Sequence, residues 1–450
     1  TLCERFVLSF KALNESDPLQ TKYCLFFSLA LSMLARDYRT GIAGTRDLIK
    51  CAGYAQQCIN GEKKLNIPKA DGYLQVALCL NARMEDMLNV TDTKMNGTLP
   101  FSSQLADAVR EAVRDYHEGS MYKRDEAVRT FRRNLFPRWK PSLGNVLACC
   151  DIFQIILEAA YEKYVSAANQ NNQNYQEIAR LGYVSKAYLV LAAIGTSGGA
   201  LNLLAQMLIN QANQYEADQR IPFFRRHPDI GTFVQQHAAP YGWPLNDNYA
   251  LAYRVLQIVC GIQRGSQPYS HMKKAELVLK GYVSESSSTQ LTSLNIAING
   301  GLAMGHYWKG RLLLEQAKQD HDRCNDYKDA AIASFCATNV TERFDHLPEN
   351  ADEDAAPQLS PPQWLSAIEL LRYPDREVFR VDRRMVFQTI YQKLTQQVEE
   401  VQSDRIQIHN ERYRLTKKDV RSNMERCLDM VKVQFPDKEP LIQEMIRSIR

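Results

Sequence analysis

The chain has 450 residues, of which 45% are hydrophobic and 24% are charged. This composition is ordinary for a folded protein of two or three domains, and it excludes a chain that is disordered throughout. The formal net charge is only +4, so any binding to a polyanion must depend on local concentrations of basic residues.

Apolar residues recur at helical spacing along most of the chain and predict an all-α fold. The only strand-like stretches are short and lie at 6–10 and 281–284. The predicted helices cover residues 24–38, 72–88, 105–117, 146–165, 183–194, 201–216, 249–260, 383–411 and 417–433. Residues 303–337 also have the spacing of one helix-turn-helix scaffold repeat, with packing positions at Tyr307, Leu313, Ala317, Tyr327, Ala330, Ala331 and Phe335.

Positive charge is concentrated in the segment 123–140, KRDEAVRTFRRNLFPRWK, where seven basic and two acidic side chains give a balance of +5. The basic residues are Lys123, Arg124, Arg129, Arg132, Arg133, Arg138 and Lys140. A helix here would place Val128, Phe131 and Leu135 on one face and arginines on another. Aromatic and basic residues together are typical of a groove for single-stranded nucleic acid, and a solvated basic helix face is the alternative.

Proline and glycine punctuate the segment 222–244, which predicts a hinge between two helical lobes. The predicted domains are an N-terminal lobe at 1–221, the hinge, a C-terminal lobe at 245–413, and a tail or exchanged helix at 414–450. A basic cleft is expected between the lobes. Further basic residues near or beyond the hinge are Arg220, Arg225, Arg226, Lys273, Lys274, Lys280, Lys318, Arg323, Arg383, Arg384 and Arg405.

An ordinary surface role is favoured for Lys273 and Lys274 individually. The acidic and proline-containing stretch 349–362 predicts an exposed loop that is available to partners.

Motifs that would carry catalysis are few. The sequence GTSGG at 195–199 matches the G-x-S-x-G pattern of a serine hydrolase and resembles patatin-like lipases there, but a turn between two helices is favoured over a nucleophile at Ser197. His321 and Cys324 lack a second ligand pair at metal-site spacing, and no phosphate-binding glycine loop is present. The sequence therefore predicts no enzyme activity, metal or cofactor.

The eleven cysteines are scattered and predict reduced side chains in an intracellular protein without membrane insertion. The apolar run at 187–194 is too short to span a bilayer.

The second half of the chain carries a family resemblance. The sequences GYVSESS at 281–287 and GHYWKG at 305–310 are similar to a serine-rich turn and an aromatic helix start in the nucleoproteins of negative-strand RNA viruses, most closely the rhabdovirus type. PPQWL at 361–365 follows the acidic loop as a similar motif does in that family. Arg405 resembles a late RNA-contacting arginine, and the match covers 225–413.

The resemblance implies a protein that encapsidates single-stranded genomic RNA between two lobes and polymerises into a helical nucleocapsid. It implies a homo-oligomer, the viral phosphoprotein and polymerase as partners, and the matrix protein as a further candidate. It also implies a place in the virion nucleocapsid and the host cytoplasm, with the nucleus as an alternative. The predicted RNA-binding residues are Lys123, Arg124, Arg129, Arg132, Arg133, Arg138, Arg225, Arg226, Lys280, Lys318, Arg323 and Arg405.

Two alternatives stay open. One is an all-helical protein-binding scaffold or bacterial effector without nucleic-acid activity, and the other is a serine hydrolase that uses Ser197.

Overall fold

The structure is a computed structural model, and every regular element in the residues it describes is a helix. The all-α fold class predicted from the sequence is therefore confirmed for that part of the chain. The described residues are 2–13, 17–42, 44–65, 71–89, 99, 101–118, 146–194, 197–218, 247–262, 267–345, 357–373, 375–402 and 417–449.

The helices are numbered in chain order along the described residues. The first eight are α1 (Leu2–Lys11), α2 (Pro18–Thr40), α3 (Leu48–Leu65), α4 (Asp71–Asn89), α5 (Ser103–Glu118), α6 (Val146–Ala168), α7 (Gln173–Ile194) and α8 (Gly198–Asp218). The next six are α9 (Asn248–Ile262), α10 (Pro268–Leu279), α11 (Ser287–Asn299), α12 (Ala303–Gln319), α13 (Cys324–Cys336) and α14 (Val340–Asp345). The last four are α15 (Pro361–Leu371), α16 (Arg383–Gln402), α17 (Lys417–Gln434) and α18 (Glu439–Ser448), with a short 3₁₀ helix at Pro436–Lys438 before α18.

The described residues divide into two compact units, and the division falls within α8, between Met207 and Leu208. The lobe boundaries drawn from the sequence remain a prediction. The predicted hinge at 222–244 lies outside the described residues.

Helix α7 is the centre of the first unit and packs against α4, α5 and α6. It is buried at almost every position from Leu181 to Ile194, because its sequence there is apolar on all sides. A polar exception is Ser185, whose hydroxyl donates to Asn81 Oδ1 at 2.7 Å. The bond satisfies a hydroxyl that burial would otherwise make costly.

Both strand-like stretches of the sequence were wrongly interpreted. Residues 6–10 lie in α1, where Val7 and Phe10 are buried one helical turn apart and the Phe10 ring stacks on Phe27 at a centroid distance of 4.3 Å. Residues 281–284 form a turn after α10, with Gly281 at a positive φ of 78°. The ring of the next residue, Tyr282, stacks on the Tyr249 ring at a centroid distance of 3.7 Å. Tertiary packing overrides the short β-favouring pattern in α1.

The predicted scaffold hairpin at 303–337 is present as α12 and α13, which pack against each other. Tyr307 and Phe335 are fully buried between them. Gly310 allows the close approach, since a Cβ there would lie 2.5 Å from a Phe335 ring carbon. Ala330 is exposed, so its prediction as a packing position was wrong.

The two final long helices, α17 and α18, belong to the core of the second unit. Met424 and Cys427 from α17 and Ile442 from α18 are buried in the same apolar cluster as Trp364 of α15. None of the helices in the described ranges is both long and apolar enough to cross a membrane.

Candidate functional site

Most of the residues predicted to bind RNA lie outside the described residues, including the whole segment 123–140, Arg225, Arg226 and Arg405. The acidic part of the predicted partner loop, 349–356, lies outside them too. The structure therefore places three of the predicted RNA-binding residues, which are Lys280, Lys318 and Arg323.

Lys318 and Arg323 are exposed at the loop that joins α12 to α13. Lys318 Nζ lies 2.8 Å from Glu315 Oε1, and the Arg323 guanidinium lies 5.1 Å from the centre of the Tyr327 ring. Ion pairs between exposed neighbours contribute little, so both cations can exchange these contacts for an external anion.

Lys280 has a different environment, because it belongs to a network of charges between α10 and α17. Its ammonium lies 3.0 Å from Glu276 Oε1 and 2.9 Å from Asp419 Oδ1. Lys273 contributes a second ammonium 2.8 Å from Glu276 Oε2. In this arrangement Lys280 is held by two carboxylates, and an RNA phosphate would have to displace them.

The surface role favoured for Lys273 and Lys274 is wrong. Both side chains are buried, and Lys274 donates to Glu285 Oε1 at 2.9 Å. Burial lowers the pKa of Lys273. Burial would raise the pKa of Glu276, but the ammonium groups of Lys273 and Lys280 outweigh it and lower that pKa. The sequence pattern could not reveal this, because the burial of these two lysines depends on how other helices pack on α10.

A second polar cluster surrounds Lys274. His271 Nδ1 lies 3.5 Å from Ser293 Oγ, and burial together with the Lys274 charge lowers the pKa of His271 and favours its neutral form. Burial raises the pKa of the nearby Cys260 thiol to about 11. A thiol that stays protonated at neutral pH is a poor nucleophile, so Cys260 does not resemble an activated cysteine.

Sequence reasoning missed a cluster of arginines around Glu369, near the end of α15. The Glu369 side chain is completely buried. Arg372 Nη1 lies 3.0 Å from its Oε2, while Arg426 Nη1 and Arg311 Nη1 lie 3.5 Å and 3.6 Å from its Oε1. Arg311 and Arg426 also donate to the hydroxyl of Tyr307. The cluster joins α12, α15 and α17.

The segment 195–199 joins two helices, as the favoured interpretation expects, since α7 ends at Ile194 and α8 begins at Gly198; residues 195 and 196 lie outside the described residues. Ser197 Oγ accepts from the backbone N–H of Ala200 at 3.4 Å, which is the role of a helix cap. It also lies 3.3 Å from Asp71 Oδ1. The side chain is buried, and a nucleophile elbow would instead expose it between a strand and a helix.

Close to this turn, Glu62 caps the N-terminus of α4. Its carboxylate accepts from the backbone N–H groups of Asp71 at 3.0 Å and Gly72 at 3.3 Å, and from Ser28 Oγ at 3.2 Å. Cys58 Sγ lies 3.8 Å from the same carboxylate. Burial and then the Asp71 charge raise the pKa of Glu62 to about 7.

Potential metal ligands are not grouped in the described part of the chain. No group of three His, Cys, Asp or Glu side chains there is placed to hold a metal ion. His321 and Cys324 flank the start of α13, where the Asp320 carboxylate accepts from the backbone N–H of Arg323 at 3.1 Å. A helix end accounts for that polar stretch.

Helix α2 exposes an apolar face along its first three turns. The exposed side chains are Leu19, Leu25, Phe26 and Leu29, with Leu8 of α1 nearby in sequence. Phe26 is 58% exposed. Spacing of three and four residues puts Leu25, Phe26 and Leu29 on one side of the helix. We call Leu19, Leu25, Phe26 and Leu29 the α2 apolar face.

Comparisons with known proteins add little to this geometry. No protein-family model and no curated protein match the chain. Among solved structures the chain is similar to c5321, a protective antigen of uropathogenic Escherichia coli that displays an SLR fold. The two share 12% sequence identity over 96% of this chain and 97% of that chain, with a TM-score of 0.22. A similarity at that level carries no argument about function.

Proposed function

We propose that the protein is an all-helical scaffold that binds an acidic amphipathic helix of another protein on the α2 apolar face. The observation that carries the proposal is the exposure of four large apolar side chains along one side of α2. Contiguous apolar surface of this kind marks protein interaction sites more often than it is left to water.

The charges around this face indicate what kind of helix would bind. The exposed charged residues described in α1 and α2 are Arg5, Lys11, Lys22 and Arg36, and all four are basic. The acidic side chains of these two helices are less exposed, and Glu4 accepts a hydrogen bond from Tyr38. An apolar stripe with basic flanks complements a helix with apolar anchors and acidic flanks.

The test uses two synthetic peptides with the same apolar stripe, one flanked by glutamate and one by lysine. Fluorescence anisotropy should show that the acidic peptide binds the full chain and that the basic peptide does not. Phe26→Ser should weaken binding, because it removes an exposed anchor. Val433→Ser is the control, since Val433 is also apolar and exposed but lies on α17.

Three outcomes would contradict the proposal. The first is that neither peptide binds, and the second is that both bind equally. The third is a concentration-dependent dimer that Phe26→Ser abolishes, because the occupant of the face would then be a second copy of the chain.

The second candidate is the nucleoprotein that the family resemblance implies, with RNA, a polymerising homo-oligomer, and the phosphoprotein and polymerase as partners. The +5 segment at 123–140 favours it, and so does the exposure of Lys318 and Arg323. Purified protein would then carry nucleic acid, visible in its absorbance ratio and as rings or filaments in negative stain. Binding should weaken by about 0.7 log unit per log unit of salt for each phosphate neutralised.

Arg129→Ala combined with Arg132→Ala and Arg133→Ala separates the two candidates. The nucleoprotein loses RNA in this triple variant, while the scaffold is free of RNA from the start and still binds the acidic peptide.

A further inference from the structure

The three arginines around Glu369 carry more positive charge than their neighbours balance. Glu369 supplies one negative charge, and Asp429 supplies another through its contact with Arg372 at 3.0 Å. Glu315 lies near Arg311, but it is paired with Lys318. Among the described residues, one guanidinium charge is therefore left over where the groups converge. Like charges held close together repel, and an external anion would relieve that repulsion.

Hydrogen-bond donors are in excess as well. A guanidinium has five N–H donors, and the contacts of Arg311 in the described structure use only its Nη1, toward Tyr307 and Glu369. Arg426 is more fully used, because its Nε donates to the Ser422 carbonyl oxygen and its Nη2 to Asn423. Arg311 therefore has the largest share of donors left for a ligand.

The arginines of the cluster are partly exposed, and the carboxylate that they share is not. The side chains of Arg311, Arg372 and Arg426 are 23%, 33% and 17% exposed, whereas Glu369 is not exposed at all. A ligand can therefore contact the exposed parts of the arginines but not the carboxylate. Glu369 fixes the three positive groups in place, and partial burial strengthens their interaction with an anion.

We propose that Arg311, Arg372 and Arg426 form a binding site for a phosphomonoester, either free phosphate or the phosphate of a phosphorylated side chain. A phosphomonoester offers three terminal oxygens to three guanidinium groups, whereas a carboxylate offers two. Arginine is suited to this role because its planar fork donates two parallel hydrogen bonds to such oxygens. The proposal does not depend on whether the chain is a scaffold or a nucleoprotein.

Isothermal titration of the full chain at constant ionic strength tests the site. The probes are inorganic phosphate, a phosphoserine peptide and the same peptide without phosphate. We expect saturable binding of a phosphate-bearing probe below about 10 mM and none of the unmodified peptide. Tighter binding of the phosphoserine peptide than of inorganic phosphate identifies a modified protein as the source, and equal binding identifies free phosphate.

The test variant is Arg311→Gln, which leaves Glu369 with two arginines. It should weaken binding about tenfold, as expected for losing one charged hydrogen-bonding partner. Lys309→Gln is the matched control, because it removes a cation from the same helix whose ammonium contacts Asn295 Oδ1 at 3.2 Å and not Glu369, and it should leave binding unchanged. Arg311→Lys keeps the charge and removes the fork, so it tests the geometry if the glutamine variant does not fold.

The proposal is overturned if no phosphate-bearing probe saturates, or if Lys309→Gln weakens binding as much as Arg311→Gln. It is also overturned if a single-stranded RNA without terminal phosphates competes as well as the monoester, since the arginines would then bind phosphodiesters.

Discussion

Substituting Glu62 by glutamine tests the electrostatics of the first unit. Folding raises the pKa of Glu62 from 4.5 to about 7, so the folded state binds this proton more tightly than the unfolded state. The stability that the protonated carboxyl contributes is fully present below about pH 4.5 and is lost as the pH rises through about 7. A shift of this size corresponds to about 3 kcal/mol.

Glu62→Gln keeps an oxygen for the N–H groups at the start of α4 but cannot ionise. We expect the variant and the wild type to be similarly stable at about pH 4.5. At about pH 8 the variant should be more stable by up to about 3 kcal/mol, because the wild type then buries a charged carboxylate. Urea denaturation followed by far-UV circular dichroism, with separate transitions fitted where they appear, measures the difference.

Glu425→Gln is the control, since Glu425 is an exposed partner of Arg421 and exposed ion pairs contribute little to stability. A stability difference between Glu62→Gln and wild type that stays constant from acid to mildly basic pH would refute the reasoning. Glu62 would then act as a cap with an ordinary pKa.

Four further substitutions have expected outcomes. Gly310→Ala should destabilise the second unit by about 1–3 kcal/mol in denaturant titrations, because the new methyl group meets the Phe335 ring. Gly261→Ala should stabilise the unit by about 0.5–1 kcal/mol, because its methyl group enters open space on a helix. Ser197→Ala should lower the unfolding free energy by about 1 kcal/mol, because it removes the helix cap. In an esterase assay the wild type and the variant should give equal rates. A lower rate for the variant would favour the serine hydrolase. Lys273→Met should lower the unfolding free energy by about 3 kcal/mol in thermal or chemical unfolding, since it removes one partner of the buried Glu276 carboxylate. An unchanged midpoint would show that stability does not depend on the Lys273–Glu276 pair.

Although residues 6–10 of α1 were interpreted as strand-like, many of the other helices could be predicted because their apolar residues recur at a 3.6-residue period. Helix α4 shows this, since its predicted range of 72–88 lies one residue inside the observed Asp71–Asn89 at each end. The scaffold hairpin at 303–337 was recognised for the same reason. Local spacing failed where the partners are distant, as at Ala330, whose position on the outer side of α13 depends on how that helix packs.

The charged clusters could not be predicted from local pattern. Lys280 and Asp419 are separated by 139 residues, and Arg426 lies 57 residues from Glu369. No sequence period connects such residues, so a lysine in an ion pair within the core looks like a surface lysine. The α2 apolar face could not be predicted for a similar reason. Its apolar residues have the same helical spacing as those that pack on the opposite side of α2, so the sequence does not show which side is exposed.

Helix α10 has a consequence for the dynamics of the second unit. Every residue from Ser270 to Leu277 is buried, and α9, α11 and α12 all pack on it. Local fraying of α10 cannot expose the backbone amides of these eight residues to solvent, because the helix has no exposed side there. Their exchange with deuterium therefore requires neighbouring helices to separate, and the amides of α10 should report the rate at which the whole unit opens.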